Sequence, residues 1–213
     1  MPVGRTLNVY LAPAEYVDSR HPAVRRQAAS LTGGCASAAE RARALFTFVR
    51  ELPYTAPDFD DPGSFRASAV LRKGNGYCVA KASLMTALSR AAAIPARLAF
   101  ADVTNHLATP RTLELMGGNR FAWHGYVELR LGGRWIKVSP TFDSATCARM
   151  GVAPLEFDGV HDAHLQPYDA AGRTLMRYER FHGTFHDVPA RFLCEEMIRM
   201  YPRAHAAIRA GLV

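Results

Sequence analysis

An α+β domain is predicted by three observations in the sequence. Residues 37–51, SAAERARALFTFVRE, place Leu45, Phe46, Phe48 and Val49 at helical intervals behind Ser37 and Glu40, a capping-box pair, so a helix ending before Pro53 is expected. A second helix starts near Cys78 and runs through AKASLMTALSRAAA to Ile94-Pro95, where proline stops it. Two runs of strand character, residues 121–131 and 134–142, are then joined by Gly132-Gly133, a two-residue hairpin signature. Helices gathered ahead of antiparallel strands define the class.

The remaining elements follow in order. Residues 52–68 are rich in Pro, Asp and Gly and predict an ordered loop. In the Cys78 helix, Ala80, Leu84, Ala87, Leu88 and Ala91 recur at steps of three and four, which predicts one core-facing stripe. ARLAFADV, residues 96–103, alternates and reads as a strand, and residues 104–120 are a polar connection without an assigned element. From Asp143 the periodicity is broken until residues 188–208, which read as helical with an interruption at Pro202. The expected organisation is a single domain over residues 1–213, with a catalytic core at about 37–145 and a C-terminal extension at about 146–213.

Composition is that of a globular protein, with 49% hydrophobic and 21% charged residues. The N-terminal stretch interrupts its apolar residues with Pro2, Asn8, Pro13 and Glu15, and no run of eighteen apolar residues occurs, so neither a signal sequence nor a membrane span is expected. The net charge of +7 raises an anionic partner as a question. Its arginines are scattered rather than clustered, so no nucleic-acid role is predicted. Four cysteines, with no CxxC pair, suggest neither a disulfide scaffold nor a common zinc site, and a cytoplasmic location is the default expectation.

The stretch GNGYCVAK places Cys78 directly behind glycines and at a helix start. Free N–H groups of a first helical turn favour a thiolate, and glycines allow substrate to approach the backbone. The base that such a nucleophile needs is found in His124, on the first hairpin strand. With Gly132-Gly133 as the turn, Leu131 faces Arg134, which brings His124 opposite Thr141 and puts Ser139 and Asp143 diagonal to it. Asp143 is then the expected carboxylate partner of the ring. The Cys78 N–H is the natural first donor to an oxyanion, with Asn75 or Tyr77 supplying a second. Trp123 either walls the cleft or packs in the sheet. Cys35 also follows glycines, but it precedes the capping Ser37 and has no histidine-bearing strand associated with it. His161 and His164, with His182 and His186, have spacings that would suit a metal only if both pairs shared a surface; no metal and no cofactor is expected.

SAAERARALFTFVRE, GNGYCVAKASLMTALSRAAAIPARLAF and WHGYVELRLGGRWIKVSPTFD resemble, in this order, the helix, nucleophile and histidine–acid blocks of the transglutaminase-like, papain-like cysteine enzyme superfamily. The resemblance covers about half the chain, roughly residues 37–143. It implies a papain-like transglutaminase core in which the nucleophile begins a helix packed on an antiparallel sheet. It also matches Cys78 to the nucleophile and His124 to the base. Where that family has an aspartate, this chain has Ser139, so the third member is expected to be Asp143, with Ser139 and Asp158 as rivals. The implied activity is cysteine-dependent acyl transfer through a thioester, most simply a peptidase or amidase acting on a peptide, protein or small amide or thioester. The alternatives are a transamidating acyltransferase with an amine acceptor and an inactive binding module on the same fold.

Overall fold

The computed structural model describes residues 8–164 and 175–212 of the chain. Helices α1 (Pro22–Thr32), α2 (Ala38–Glu51) and α3 (Ala67–Lys73) surround a central helix, α4 (Cys78–Ala91). Strand β1 (Ala96–Asn105), a short helix α5 (Pro110–Met116), strands β2 (Arg120–Leu131) and β3 (Arg134–Val138), and a short helix α6 (Ser144–Met150) follow. Strand β4 (Met176–Phe185) and helices α7 (Ala190–Met200) and α8 (Pro202–Arg209) complete the fold. The four strands form one antiparallel sheet in the order β3-β2-β1-β4, with α4 packed on β1 and β2.

The predicted boundaries rest on local chemistry that the structure displays directly. The Ser37 hydroxyl accepts the Glu40 N–H at 3.1 Å, and the Glu40 carboxylate reaches back to the Ala36 N–H at 2.7 Å, one residue earlier than a standard capping box. In the hairpin, Leu131 pairs with Arg134, and Gly132 and Gly133 take φ of 53° and 79°. Positive φ at both central positions is what a type I′ turn requires, and it is why two glycines stand there. β3 ends at Val138, earlier than expected, because the chain turns away at Pro140.

The central helix departs from expectation more instructively. Every residue from Val79 to Arg90 is buried, not one stripe, because α1, α2 and α3 cover the faces that the sheet leaves open. Its polar residues are therefore internal fasteners. The Lys81 ammonium, fully buried, donates to the carbonyls of Arg50, Leu52 and Thr141 at 2.7–2.8 Å. Burial pushes its pKa down to about 8 against the opposing attraction of Asp143 and Glu51. Arg90 likewise donates to the carbonyls of Ala12, Ala96 and His186, joining the N-terminal segment and the chain after β4 to the core. Burying a cation is tolerable only with such full satisfaction of its donors.

Elements that carried no sequence expectation are short or weakly patterned. α1, α3, α5 and α6 have few or no buried apolar positions each, and most of β4 lies half-buried or exposed. The segment expected to be loop through Ser68 already enters α3 at Ala67, and residues 104–120 contain α5. Among the described residues no helix is long and apolar enough to cross a membrane.

Candidate active site

Cys78 is the first residue of α4, with Tyr77 as N-cap and no side chain capping the helix, so the helix N-terminus is open toward the thiol. The approach of β2 to this point is set by a glycine. A side-chain carbon at Gly125 would lie 3.0 Å from Val79 Cα and 3.1 Å from Val79 Cγ2, so the strand can run this close only with hydrogen at position 125. The close approach puts the Gly125 N–H among the groups that act on the Cys78 thiol. Burial pushes the thiol up to about 11, although the N–H groups of Gly125, Val79 and Cys78 itself all favour its thiolate.

His124 precedes Gly125 and is 6% exposed. Its position follows from a bulge, because β1 and β2 pair regularly at Ala101 with His124 and at Val103 with Phe121, leaving Ala122 and Trp123 opposite Asp102 alone. Trp123 absorbs the extra residue with φ of 56°, a left-handed conformation that costs about 1–3 kcal/mol in a bulky residue. The surroundings hold it there. The Trp123 N–H and His182 Nε2 bond the Asp102 carboxylate at 3.2 and 2.7 Å, and Arg120 donates to the same carboxylate at 2.7 Å. The His182 ring stacks on the indole at 3.9 Å, and the Tyr201 hydroxyl of the α7–α8 junction accepts the Ala122 N–H. Burial, followed by the neighbouring His164, pushes the His124 pKa down to about 3. Thiol and imidazole are thus both neutral near pH 7.

Of the three candidates for a group orienting His124, the structure brings Ser139 to the ring. Ser139 Oγ lies 3.5 Å from His124 Nε2 and 3.1 Å from the Tyr178 hydroxyl, while the Tyr178 ring meets the imidazole edge-to-face. Asp143 is engaged elsewhere. Its carboxylate caps α6, accepting the Thr146 N–H and hydroxyl, and it also accepts the Tyr54 N–H at 2.8 Å. The reason is the early end of β3, since beyond Val138 the strand pairing that placed Asp143 diagonal to His124 no longer applies. Burial opposes ionisation of Asp143, but these hydrogen bonds outweigh it and hold its pKa at about 2. Asp158 is exposed and bonds the neighbouring His161.

The loop ahead of Cys78 is held by a second strip of backbone. Thr55 N–H donates to Gly76 O, Gly76 N–H donates to Pro53 O, and the Thr55 hydroxyl bonds Asn75 Oδ1. This pairing carries Tyr54 to the site. Its phenol is pushed well above its usual range by burial and then by the charge that Cys78 carries when ionised. The amide oxygen of Asn75 is therefore committed to Thr55, and Tyr77 packs its ring edge-on against Phe59 and Phe65. Tyr54 was missed in the sequence because the loop holding it has no period. Only the aromatic preceding a polar, Pro-rich run hinted at it.

Cys78, His124, Tyr54, Tyr77 and Trp123 line one cavity of about 510 Å³. Trp123 both walls this cavity and packs against Phe100 and Phe192, so its two expected roles coincide. The other cysteines lie apart from it and, like Cys78, are free thiols. Cys194 is in the core of α7, Cys147 is buried in α6, and Cys35 lies in the turn after α1. The histidines with metal-like spacing are dispersed, with His161 on Asp158, His182 on Asp102 and His164 against Tyr126 and Tyr178.

A helix that starts at a cysteine and packs on an antiparallel sheet, with a histidine in the same cavity, is the arrangement of the papain-like fold class. The chain belongs to the transglutaminase-like superfamily, whose family model matches residues 25–140, more than half of its length. A solved structure of a candidate cysteine protease from Cytophaga hutchinsonii matches with a TM-score of 0.50 and 18% identity, over 87% of this chain and 57% of that one. A candidate protease from Parabacteroides distasonis matches with a TM-score of 0.41 and 20% identity, over 63% of this chain and 25% of that one. The likeness to the first is one of fold, and this chain spans little more than half of its length. No curated protein matches the chain.

Proposed function

We propose that the protein is a cysteine hydrolase that cleaves an amide or thioester through an acyl-enzyme intermediate. The observation that carries this reading is that Cys78 and His124 line one cavity, with Cys78 at the start of α4 and the Gly125 N–H favouring its thiolate. His124 Nε2 faces Ser139, which leaves Nδ1 to take the thiol proton. As the Cys78 sulfur attacks the carbonyl, the S–H proton passes to His124 and a C–S bond forms. Collapse of the tetrahedral adduct breaks the bond to the leaving amine or thiol, which takes the proton back from the imidazolium. Water, deprotonated by His124, then releases the acid and regenerates the thiol. The N–H groups at the start of α4 are suited to the oxyanion, with the Tyr54 hydroxyl as a second donor. An amine in place of water would make the same site transamidating.

Because both groups rest neutral, general-base activation rather than a preformed ion pair is the operating mode. The test is acylation by the activated thioester S-phenyl thioacetate at pH 7, thiophenol leaving, with the acetylated cysteine mapped by mass spectrometry. Cys78 is expected to label at least tenfold faster than Cys35, and His124→Ala is expected to abolish the preference. Equal labelling of the two cysteines in the native protein would refute the hydrolase and leave a binding module on this fold.

A further inference from the structure

The cavity holding Cys78 is large, and its interior is apolar. Phe59, Met116, Phe121, Phe142, Met197 and Ile208 are among its walls, and no carboxylate or ammonium lines it among the described residues. Its polar side chains are mostly turned to protein partners. Asn105 accepts the Leu107 N–H, Thr109 and Thr112 bond each other, Thr146 bonds Asp143, and Tyr201 bonds the backbone at Ala122 and Arg120. Arg149, the one guanidinium in the lining, is exposed and bonded to Thr146. A site built for a polar peptide segment would present many donors and acceptors to it, and this one presents mostly carbon, with the Thr141 and Tyr54 hydroxyls as exceptions.

Volume narrows the occupant further. A cavity of roughly 150 Å³ holds a benzene, so about 510 Å³ has room for more than one ring or for a chain of comparable bulk. Several of the walls, Met150, Leu193, Met197, Ala204 and Ile208 among them, come from α6, α7 and α8, beyond the segment that the family model matches. The cavity is therefore a feature of this chain's C-terminal part as much as of the shared core.

We propose that this cavity binds the acyl portion of the substrate, and that this portion is an uncharged apolar group of about the size of an octanoyl chain. The inference rests on the hydrolase reading for its reaction, but its binding test does not require the reaction. Cys78→Ala protein is titrated calorimetrically with acetyl-, octanoyl- and 6-aminohexanoyl-glycinamide. Each buried methylene contributes about fourfold in affinity (0.8 kcal/mol), so octanoyl is expected to bind at least 100-fold more tightly than acetyl. The cationic chain is expected to bind no better than acetyl. Met116→Trp, at a half-buried wall position, is expected to cost octanoyl at least tenfold and acetyl nothing.

Octanoyl and acetyl within threefold of each other, or an octanoyl affinity untouched by Met116→Trp, would overturn the proposal. Flat affinities beside selective labelling of Cys78 would remove the acyl cavity and keep the hydrolase. A steep chain-length dependence beside unselective labelling would do the opposite.

Discussion

At the scale of single residues, the site divides labour between two groups that the sequence placed together. Ser139 meets His124, whereas Asp143 fixes Tyr54 and the start of α6. Ser139→Ala is accordingly expected to slow Cys78 acylation by the thioester about threefold and to lower the urea midpoint less than Asp143→Asn does, since it removes one long contact to the His124 Nε2–H and one hydroxyl contact to Tyr178. Asp143→Asn puts an amide among three donors and is expected to cost about 1–3 kcal/mol of stability, read as a lower urea midpoint, with less effect on acylation than Ser139→Ala. The opposite ordering would return Asp143 to the imidazole. Cys78 and His124 were legible because each sits at a position with a local reason, a glycine-preceded helix start and a hairpin strand of known register. The partner of His124 was harder to read because it depends on where β3 stops pairing, and a turn alone does not say that.

At the scale of elements, legibility follows the strength of the repeating pattern. α2, α4 and the β2–β3 turn carry caps, apolar periodicity or a pair of glycines, and each is where the sequence puts it, whereas the far end of β3 is not. α4 was recognised as a helix but its surroundings were not. Periodicity registers the stripe of large apolar residues and is blind to small or fully bonded polar ones, such as Ser83, Thr86 and Lys81, that are equally buried. β4 escaped notice because its chain is largely polar and exposed, and it joins the sheet through β1 rather than through a neighbour in sequence. The two-against-one bulge at Ala122-Trp123 is likewise invisible to an alternation count. A left-handed tryptophan has no propensity signal, being imposed by Asp102, His182 and Tyr201 from three distant elements.

At the scale of the whole molecule, the enclosure of His124, with Cys78 left half-buried beside it, makes stability pH-dependent in a direction that can be worked out. His124 is held down to about 3 in the fold and titrates near 6.5 when unfolded. Below that value the unfolded chain takes up a proton that the folded one refuses, so stability falls as pH drops from about 6.5 toward 3 and is unaffected by this group above 6.5. Between pH 6.5 and 4.5 the loss attributable to His124 is about 2–3 kcal/mol. Urea titrations at both values should therefore show a larger drop for the native protein than for His124→Asn, and equal drops would mean that the imidazole titrates freely in the fold. The same enclosure bears on redox chemistry. A thiol pushed up to about 11 is ionised to only about one part in ten thousand at pH 7, and it is the thiolate that attacks a peroxide oxygen and displaces hydroxide. On the proposed mechanism Cys78 is thereby shielded from oxidation at rest, because its proton would leave only when a carbonyl is there to receive the sulfur. Hydrogen peroxide at pH 7 should form the Cys78 sulfenic acid no faster than it oxidises a free cysteine, whereas faster oxidation would mean that the resting sulfur is already ionised.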